Sequence, residues 1–346
     1  MLAVAELWQG SDGHGFVQGF RRFGHSVRVV PAEAYFPAYW RSRPLRLVRR
    51  LLEHWFVREL AQAISLEASH LRPHLFFAFK GRVIPPGAIS DLRQSGVICT
   101  CFYPDVSFRA HGRYLPRTLP FYDHVFTAKS FGVRDLAEAG VANATFLPHG
   151  FDPAVHFPIQ PSAEERERYE SDVCFIGTWS PKKERILTEL ISRFPHLKLA
   201  IWGDQWSNRG KILEPFVRGQ PVFGLEYTKV LACSRIALGL LSEIRTGASS
   251  GDRTTSRTFQ IPATGTLMLH ERTDELLQFF REGEECACFA DGDELAQKVQ
   301  HFLGNDEERM RIAAQGRARS LASDYSTDAR VRVILQTLGL AASSLR

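Results

Sequence analysis

Residues 1–30 read MLAVAELWQGSDGHGFVQGFRRFGHSVRVV, and this stretch decides the fold of the first half of the chain. The apolar run at residues 1–7 predicts a buried strand, and the polar, glycine-containing residues 9–15 predict a turn. Residues 16–23 place apolar side chains at helical spacing, and residues 27–30 predict a second strand. A strand, a glycine turn, a helix and a strand make a βαβ unit, so we expect a parallel sheet.

The same alternation continues along the chain. It predicts a long helix over residues 44–69, which begins with a proline, and strands at residues 75–79, 97–102 and 124–127. Residues 147–158 are rich in proline and glycine and are interpreted as a linker. Beyond the linker, strands are predicted at residues 172–176, 197–202, 236–241 and 266–269, and helices at 182–194, 295–303, 306–321 and 327–340. The pattern predicts two doubly wound, Rossmann-like α/β domains, at residues 1–150 and 151–325, and a helical tail at 326–346.

Composition limits the class of protein. The chain has 346 residues, which fits two domains at about 150 residues each. A formal net charge of +5 suits a ligand that carries phosphate, whereas nucleic acid usually meets a denser basic face. The six cysteines are interpreted as reduced core residues, because zinc sites use two-residue spacers and further ligands. No basic leader or long apolar span is visible, so we expect a cytoplasmic protein.

Several short motifs in the second half resemble the C-terminal domain of GT-B glycosyltransferases. In chain order they are DVCFIGT at residues 172–178, KKER at 182–185, WGD at 202–204, SRTFQIPATG at 256–265 and FREGEE at 280–285. The resemblance is strongest to the spore maturation protein CgeB-like group, which is related to the group 1 glycosyltransferases. It implies two Rossmann-like domains that face each other across a cleft, with the C-terminal helix returning to the first domain.

The resemblance also implies a reaction. The expected enzyme is a metal-independent glycosyltransferase that moves a hexosyl or related group from a nucleotide-diphosphate sugar, with UDP as the expected nucleotide, to an acceptor hydroxyl. No further cofactor is expected. A nucleotide-sugar epimerase of the same fold and a non-catalytic nucleotide-sugar-binding protein remain alternatives. A dinucleotide oxidoreductase fits less well, because the strict glycine fingerprint is missing.

Donor-binding residues are expected where the second domain begins. Gly177 and Thr178 form a turn after a strand, and Lys182, Lys183 and Arg185 follow at the start of a helix. A glycine turn and a basic helix start supply the amides and cations that a departing diphosphate needs. The alternative is an ordinary solvated helix face.

A long polar loop at residues 242–257 is the second donor-side feature. We expect Arg253 and Arg257 to contact the diphosphate, although a plain surface loop is the alternative.

Four further residues are assigned by the resemblance alone. Asp252 and Gln260 stand where the related retaining enzymes carry two glutamates eight positions apart. The resemblance implies that Asp252 contacts the donor sugar as a catalytic candidate and that Gln260 holds the ribose. It also sets Val222 and Phe223 against the nucleotide base through their backbone, while the simpler expectation for their side chains is a strand core.

Acceptor-side residues are expected in the first domain. Gly13 and Gly15 would let the backbone approach a ligand, and His14 between them matches a base histidine of some inverting GT-B enzymes. His149, in the linker, is placed on the same side. Asp105 follows a strand and is the other general-base candidate, since the carboxyl ends of parallel strands carry the ligand site. The alternatives are an ordinary turn, a capping histidine and an aspartate that accepts from turn amides.

An arginine-rich segment at residues 41–58 is the last feature. Six arginines flank apolar residues, in the order RSRPLRLVRRLLEHWFVR. Such a helix could lie on an anionic membrane, which would make the protein peripheral at the inner membrane face. The simpler expectation is that its leucines and Trp55 pack inward while the arginines are solvated.

Overall fold

The computed structural model describes residues 1–8, 10–35, 43–206 and 212–340, without the side chains of residues 43 and 46. Contacts divide the chain into two compact units. Unit 1 comprises Met1–Pro148, Ile244–Ser250 and the chain from Arg330 onward, and unit 2 comprises His149–Glu243 and Gly251–Ala329. No helix in the described ranges is both long and apolar enough to cross a membrane.

Unit 1 is built on a parallel six-stranded sheet in the order β2-β1-β3-β4-β5-β6. Its strands are β1 (Leu2–Ala5), β2 (Arg28–Pro31), β3 (Leu75–Phe79), β4 (Ile98–Tyr103), β5 (His124–Thr127) and β6 (Ala144–Phe146). Its helices are α1 (Asp12–Arg22), α2 (Ala32–Tyr35), α3 (Arg43–Leu51), α4 (Glu53–Leu71), α5 (Pro86–Gln94), α6 (Tyr114–Thr118) and α7 (Gly132–Glu138), with 3₁₀ turns at Phe108–His111 and Leu119–Phe121.

Unit 2 repeats the plan with a parallel five-stranded sheet in the order β11-β10-β9-β7-β8. Its strands are β7 (Ser171–Ile176), β8 (Leu199–Trp202), β9 (Ser234–Gly239), β10 (Leu267–Glu271) and β11 (Ala287–Phe289). Its helices are α8 (Ala163–Tyr169), α9 (Pro181–Arg193), α10 (Gly224–Ala232), α11 (Ser256–Ala263), α12 (Asp274–Phe279), α13 (Gly292–Gly304) and α14 (Asp306–Ala322), with a 3₁₀ turn at Glu214–Phe216. The last helix, α15 (Thr327–Thr337), begins in unit 2 and continues into unit 1.

Both sheets are covered on two faces, which explains their nearly continuous apolar strands. In β3, Phe76 and Ala78 lie in one core cluster, whereas Phe77 and Phe79 lie in the cluster on the other face. The second cluster also contains Val331, Ile334 and Leu335 of α15. The prediction that the C-terminal helix returns to the first domain is therefore confirmed for the described residues, and residues 341–346 lie outside them.

Two local predictions differ from the structure. The glycine turn is shorter than expected, because Ser11 caps α1 and accepts a hydrogen bond from His14 N at 3.0 Å, so the helix already begins at Asp12. The long helix predicted over residues 44–69 is interrupted at Leu52. Its second part, α4, is held by buried Phe56, Val57, Leu60 and Ile64, whereas none of the described side chains of α3 is buried, so they do not fix the same direction.

The arginine-rich segment also departs from the simpler expectation. Leu47, Leu51 and Trp55 are 60%, 66% and 51% exposed, so these side chains do not pack inward. The inward face of α4 starts one residue later, at Phe56, because only that side of the helix meets the sheet. Residues 41 and 42 lie outside the described part of the chain.

One short segment makes the two units differ from the predicted domain limits. The seven residues Ile244–Ser250 belong to unit 1, although they interrupt the sequence of unit 2. Ser107 Oγ donates to the Thr246 carbonyl at 2.7 Å, and Ser249 N donates to Asp135 Oδ2 at 3.0 Å. These bonds join residues more than 100 positions apart, so local sequence patterns could not reveal them.

Candidate functional site

Two glycines lie at the carboxyl edge of the sheet in unit 2, each just after one of two neighbouring strands. Gly177 follows β7 and donates its N–H to the Trp202 carbonyl at 2.8 Å. Gly203 follows β8 with a φ of +140°, and a Cβ added there would lie 2.2 Å from the Gly177 carbonyl oxygen. Only glycine permits this close backbone approach, which shapes the turn that leads into α9.

Helix α9 begins beside this turn. Ser180 is its N-cap and Pro181 occupies its first position, where the missing N–H costs nothing. The cap directs the free amides and the positive end of the helix dipole toward the strand ends. Such a helix start is suited to an anion.

Two cations predicted as donor ligands lie over one aromatic ring. Lys183 Nζ is 5.9 Å and Arg257 Cζ is 5.3 Å from the centre of the Phe175 ring. Lys183 is only 4% exposed, and its ammonium donates to the Thr178 carbonyl at 3.2 Å and to Ser242 Oγ at 3.3 Å. The sequence analysis did not single out Phe175, although its place in β7 made a buried position predictable.

Arg257 is held against the same edge. Its Nη2 donates to the Leu240 carbonyl at 2.7 Å, and its Nη1 donates to the Ile176 carbonyl at 3.3 Å. Burial lowers the pKa of Arg257, but a guanidinium stays charged at neutral pH. The guanidinium also lies close to Gly177, since a Cβ on that glycine would be 2.9 Å from Nη1.

Three carboxylates surround these cations. Glu243 Oε1 accepts the amide of Lys182 at 2.9 Å, at the start of α9. Glu271 pairs with the Lys182 ammonium and accepts the Leu241 amide at 2.6 Å. Asp252 Oδ2 accepts a hydrogen bond from the Ser242 amide at 3.2 Å, which joins two parts of the polar loop at residues 242–257.

Glu243 is the carboxylate that stands where a ligand anion would be favoured. Burial alone would raise the pKa of Glu243, but hydrogen bonds from Ser180 and from the Lys182 amide outweigh burial and lower it. Glu243 lies in the polar loop at residues 242–257, and the sequence analysis assigned no role to it. Its position at the helix start could not be read from spacing.

The remaining predicted donor residues are spread over unit 2. The side chains of Arg185 and Arg253 are both exposed. Thr178 is exposed beside the glycine turn, while Gln260 is 6% exposed within α11.

The stretch expected against the nucleotide base is not a strand. Val222 is buried in the core, but Phe223 is 48% exposed and precedes the first residue of α10. Gly224 adopts a φ of +58° at this helix start. The strand-core alternative therefore fails for Phe223, because this residue is exposed and the chain turns into a helix directly after it.

The carboxyl edge of unit 1 carries a second group of charged residues. Glu6, Lys80, Asp105 and Lys129 each follow a strand by one or two positions, after β1, β3, β4 and β5. The sequence analysis selected only Asp105, although a charged residue just past each buried strand was a visible signal.

Asp105 is the centre of this group. Lys80 Nζ lies 3.5 Å and His111 Nε2 lies 3.0 Å from Asp105 Oδ2. Burial would raise the pKa of Asp105, but Lys80, His111 and Lys129 outweigh burial and hold it well below its usual range. A carboxylate with so low a pKa is a weak proton acceptor, and is better suited to orienting His111.

The pKa of Glu6 is shifted in the opposite direction from that of Asp105. It lines a small cavity of about 90 Å³ together with Lys80 and Arg82. Burial raises the pKa of Glu6, with further increases from Glu33, Asp12 and Asp105, although Lys80 opposes them. Two neighbouring carboxyl groups thus have pKa values moved apart, a common arrangement at sites of proton transfer.

The other predicted acceptor-side residues lie elsewhere. Gly13, His14 and Gly15 are in the first turn of α1, where His14 Nε2 is 3.0 Å from Gln18 Nε2. A Cβ on Gly13 would lie 3.0 Å from the Phe79 ring, so this glycine permits close packing of helix and strand. His149 is 7% exposed and belongs to unit 2.

The chain was compared with known proteins. Residues 182–336, which run from the start of α9 to the end of α15, match a family model described as glycosyl transferase-like. No curated protein matches the chain in sequence.

Solved structures show the fold. Anabaena HepE in complex with UDP-glucose is 11% identical, with a TM-score of 0.65 over 98% of each chain. A glycosyltransferase from Rickettsia africae is 11% identical, with a TM-score of 0.64 over 97% of this chain and 96% of that one. A protein described as a UDP-N-acetylglucosamine 2-epimerase from Listeria monocytogenes is 9% identical, with a TM-score of 0.57 over 97% and 95%.

These likenesses show a fold of two parallel-sheet α/β domains, as in GT-B glycosyltransferases. The family match supports glycosyl transfer as the general class of activity. The CgeB-like subgroup remains a prediction.

Proposed function

We propose that this protein transfers a hexosyl or related group from a UDP-sugar to an acceptor hydroxyl. The observation that carries the proposal is the pairing of Lys183 and Arg257 over Phe175, beside the glycine turn and the start of α9 in unit 2. Cations and amides held in this way stabilise the negative charge that develops on a departing diphosphate. HepE, a structural neighbour, was solved with UDP-glucose bound, which supports UDP as the nucleotide to test first.

No metal is required in this proposal. In many phosphate sites a divalent cation neutralises the diphosphate, but two fixed side-chain cations and a helix N-terminus supply comparable positive charge. Arg253 and Arg185, exposed in unit 2, are proposed to reach the diphosphate once it is bound, and Gln260 and Asp252 to contact ribose and sugar. Adding a chelator should leave the activity unchanged.

The acceptor is proposed to bind at the carboxyl edge of unit 1. His111 is the favoured proton acceptor there, since Asp105 accepts from its ring at 3.0 Å and would hold the imidazole in one orientation. His14 is the less favoured choice, because it lies in a helix beside Gln18. The kcat should fall by roughly 10²- to 10⁴-fold in His111→Gln, the usual contribution of a general base, and should fall much less in His14→Gln.

The function is tested by incubating the protein with UDP-sugars, with and without a panel of hydroxyl acceptors. Transfer requires that donor is consumed only with an acceptor and that a glycoside forms. An epimerase would change the donor sugar without any acceptor. Binding of UDP with no turnover under any condition would favour a non-catalytic nucleotide-sugar-binding protein and contradict the proposal.

A further inference from the structure

An exposed apolar strip runs along α3 and the first turn of α4. Its members are large apolar side chains that are at least 40% exposed: Leu45, Leu47, Val48, Leu51, Leu52 and Trp55. We call this set the apolar strip. On the surface of a soluble protein, large exposed apolar residues usually occur singly, so a contiguous group of them indicates an interaction surface.

The strip has the pattern of an amphipathic helix. At 3.6 residues per turn, Leu47 and Leu51 stack at a step of four on one side of α3, and Trp55 follows in the first turn of α4. By the same geometry Arg49 lies about 160° from both Leu47 and Leu51, and the exposed Arg50 lies about 60° and about 100° from them. The leucines of α3 therefore share one side of the helix, and these arginines lie opposite or beside it.

The segment is also the most basic part of the chain. Residues 43–58 contain five arginines against one glutamate, whereas the whole chain has an excess of only five positive charges. Arg50 and Arg58 are exposed. A ligand for this surface must therefore accept apolar side chains and carry negative charge.

The strip is attached to a rigid support. Val57, Leu60 and Ile64 of α4 are at most 3% exposed and belong to a core cluster of unit 1. Trp55 and the residues before it are thus presented at the end of a helix that is fixed to the sheet.

We propose that the apolar strip and its arginines bind the surface of an anionic phospholipid bilayer. In this arrangement the strip enters the boundary between headgroups and acyl chains, and the arginines contact phosphate groups. A second copy of this chain is a poorer occupant, because it would bring a second set of arginines against the first. The inference goes beyond the proposed reaction and does not depend on it.

The proposal can be tested by flotation of the full-length protein with vesicles. Vesicles of phosphatidylglycerol and phosphatidylcholine in equal amounts should carry the protein to the top of the gradient, and phosphatidylcholine alone should not. Raising the salt concentration should weaken the binding, because the arginine contribution is screened. The double variant Leu47→Glu, Leu51→Glu should bind at least tenfold more weakly.

A matched control uses two equally exposed apolar residues elsewhere. Leu66 on α4 and Met310 on α14 are 58% and 60% exposed, so Leu66→Glu, Met310→Glu adds the same charge outside the strip. This control should bind vesicles like the wild type. A second pair separates charge from apolar contact: Arg50→Gln, Arg58→Gln should lose binding, while Arg134→Gln, Arg168→Gln should not.

Two results would overturn the proposal. Failure of the folded wild-type protein to bind the anionic vesicles is one, and equal loss of binding in the strip variant and its control is the other. Size-exclusion chromatography tests the alternative that a second copy of the chain covers the strip. A wild-type dimer that becomes a monomer in the double variant Leu47→Glu, Leu51→Glu would make the strip an interface between copies. Thermal melting of each variant verifies that it is folded.

Discussion

Replacing Lys183 by Met should weaken the binding of UDP by roughly 10- to 150-fold. The substitution keeps an unbranched apolar stem in a site that is only 4% exposed, but removes the ammonium. At an effective dielectric constant of about 20, an ammonium about 4 Å from a unit negative charge gains about 4 kcal/mol. A bound phosphate must replace existing partners of Lys183, at Thr178 and Ser242, so the net loss is reduced.

The net loss is therefore that of a charge-assisted hydrogen bond, about 1.5–3 kcal/mol. At about 1.4 kcal/mol per factor of ten, this range gives the stated change in Kd. Isothermal titration of UDP into the purified variant measures it directly. Turnover should fall further than binding, because the diphosphate gains charge as the sugar departs.

Lys198→Met is the matched control. The Lys198 side chain is 63% exposed and pairs with Glu170 at 3.2 Å, an ion pair of the kind that contributes about 1 kcal/mol or less. Its Kd for UDP should stay within about twofold of the wild type. The reasoning is refuted if folded Lys183→Met binds UDP as well as the wild type, or if both variants lose the same affinity.

Three further changes probe the two units. Glu243→Gln should tighten UDP binding by roughly 2- to 5-fold in titration calorimetry, because it removes a negative charge from the Lys182 amide at the start of α9. Gly203→Ala should lower the free energy of unfolding in urea by about 2–4 kcal/mol, because its Cβ would meet the Gly177 carbonyl and its φ is positive. Glu6→Gln should raise Tm at pH 7.5, because the raised pKa of Glu6 means that the folded protein favours the uncharged form.

The pH dependence of the last variant follows from the sign of the shift. The folded state binds the Glu6 proton more tightly than the unfolded state, so its contribution to stability is present at low pH. That contribution is lost as pH rises from the ordinary pKa of 4.5 through the raised value. The gain in Tm of Glu6→Gln should therefore vanish in acid, and a gain that persists there would contradict the assignment.

Controls for these variants come from the same chain. Gly304→Ala adds a Cβ that meets nothing within 4 Å, so it should not destabilise unit 2 as Gly203→Ala does. Glu164→Gln removes an exposed charge and should change neither UDP affinity nor Tm. Weaker UDP binding in Glu243→Gln would show that this carboxylate supports the site instead of competing for it.

Much of the fold was predictable because it depends on local patterns. β3 and β5 were predicted with their observed limits, and α14 was predicted to within one residue. Apolar runs and helical spacing are set by neighbouring residues. The start of α1 was missed because capping by Ser11 outweighed the glycine-rich appearance of the next residues.

The candidate site was only partly predictable. Lys183, Arg257 and Gly177 were selected from a strand, a turn and a helix start, and they do lie together. Glu243 at the helix start and His111 beside Asp105 were missed. Glu243 reaches the helix start from a loop 61 positions beyond Lys182, and His111 reaches Asp105 through the irregular turn after β4. No periodicity describes such paths.

By itself the sequence determined the two βα repeats and the strand ends where charged residues collect, because the spacing of apolar residues fixes which positions can be buried. Only the tertiary structure decided that Ile244–Ser250 joins unit 1 and that two cations share the Phe175 ring. It also decided that the apolar strip faces outward. These features rest on contacts between residues far apart in the chain, and burial of a helix face depends on what is packed against it.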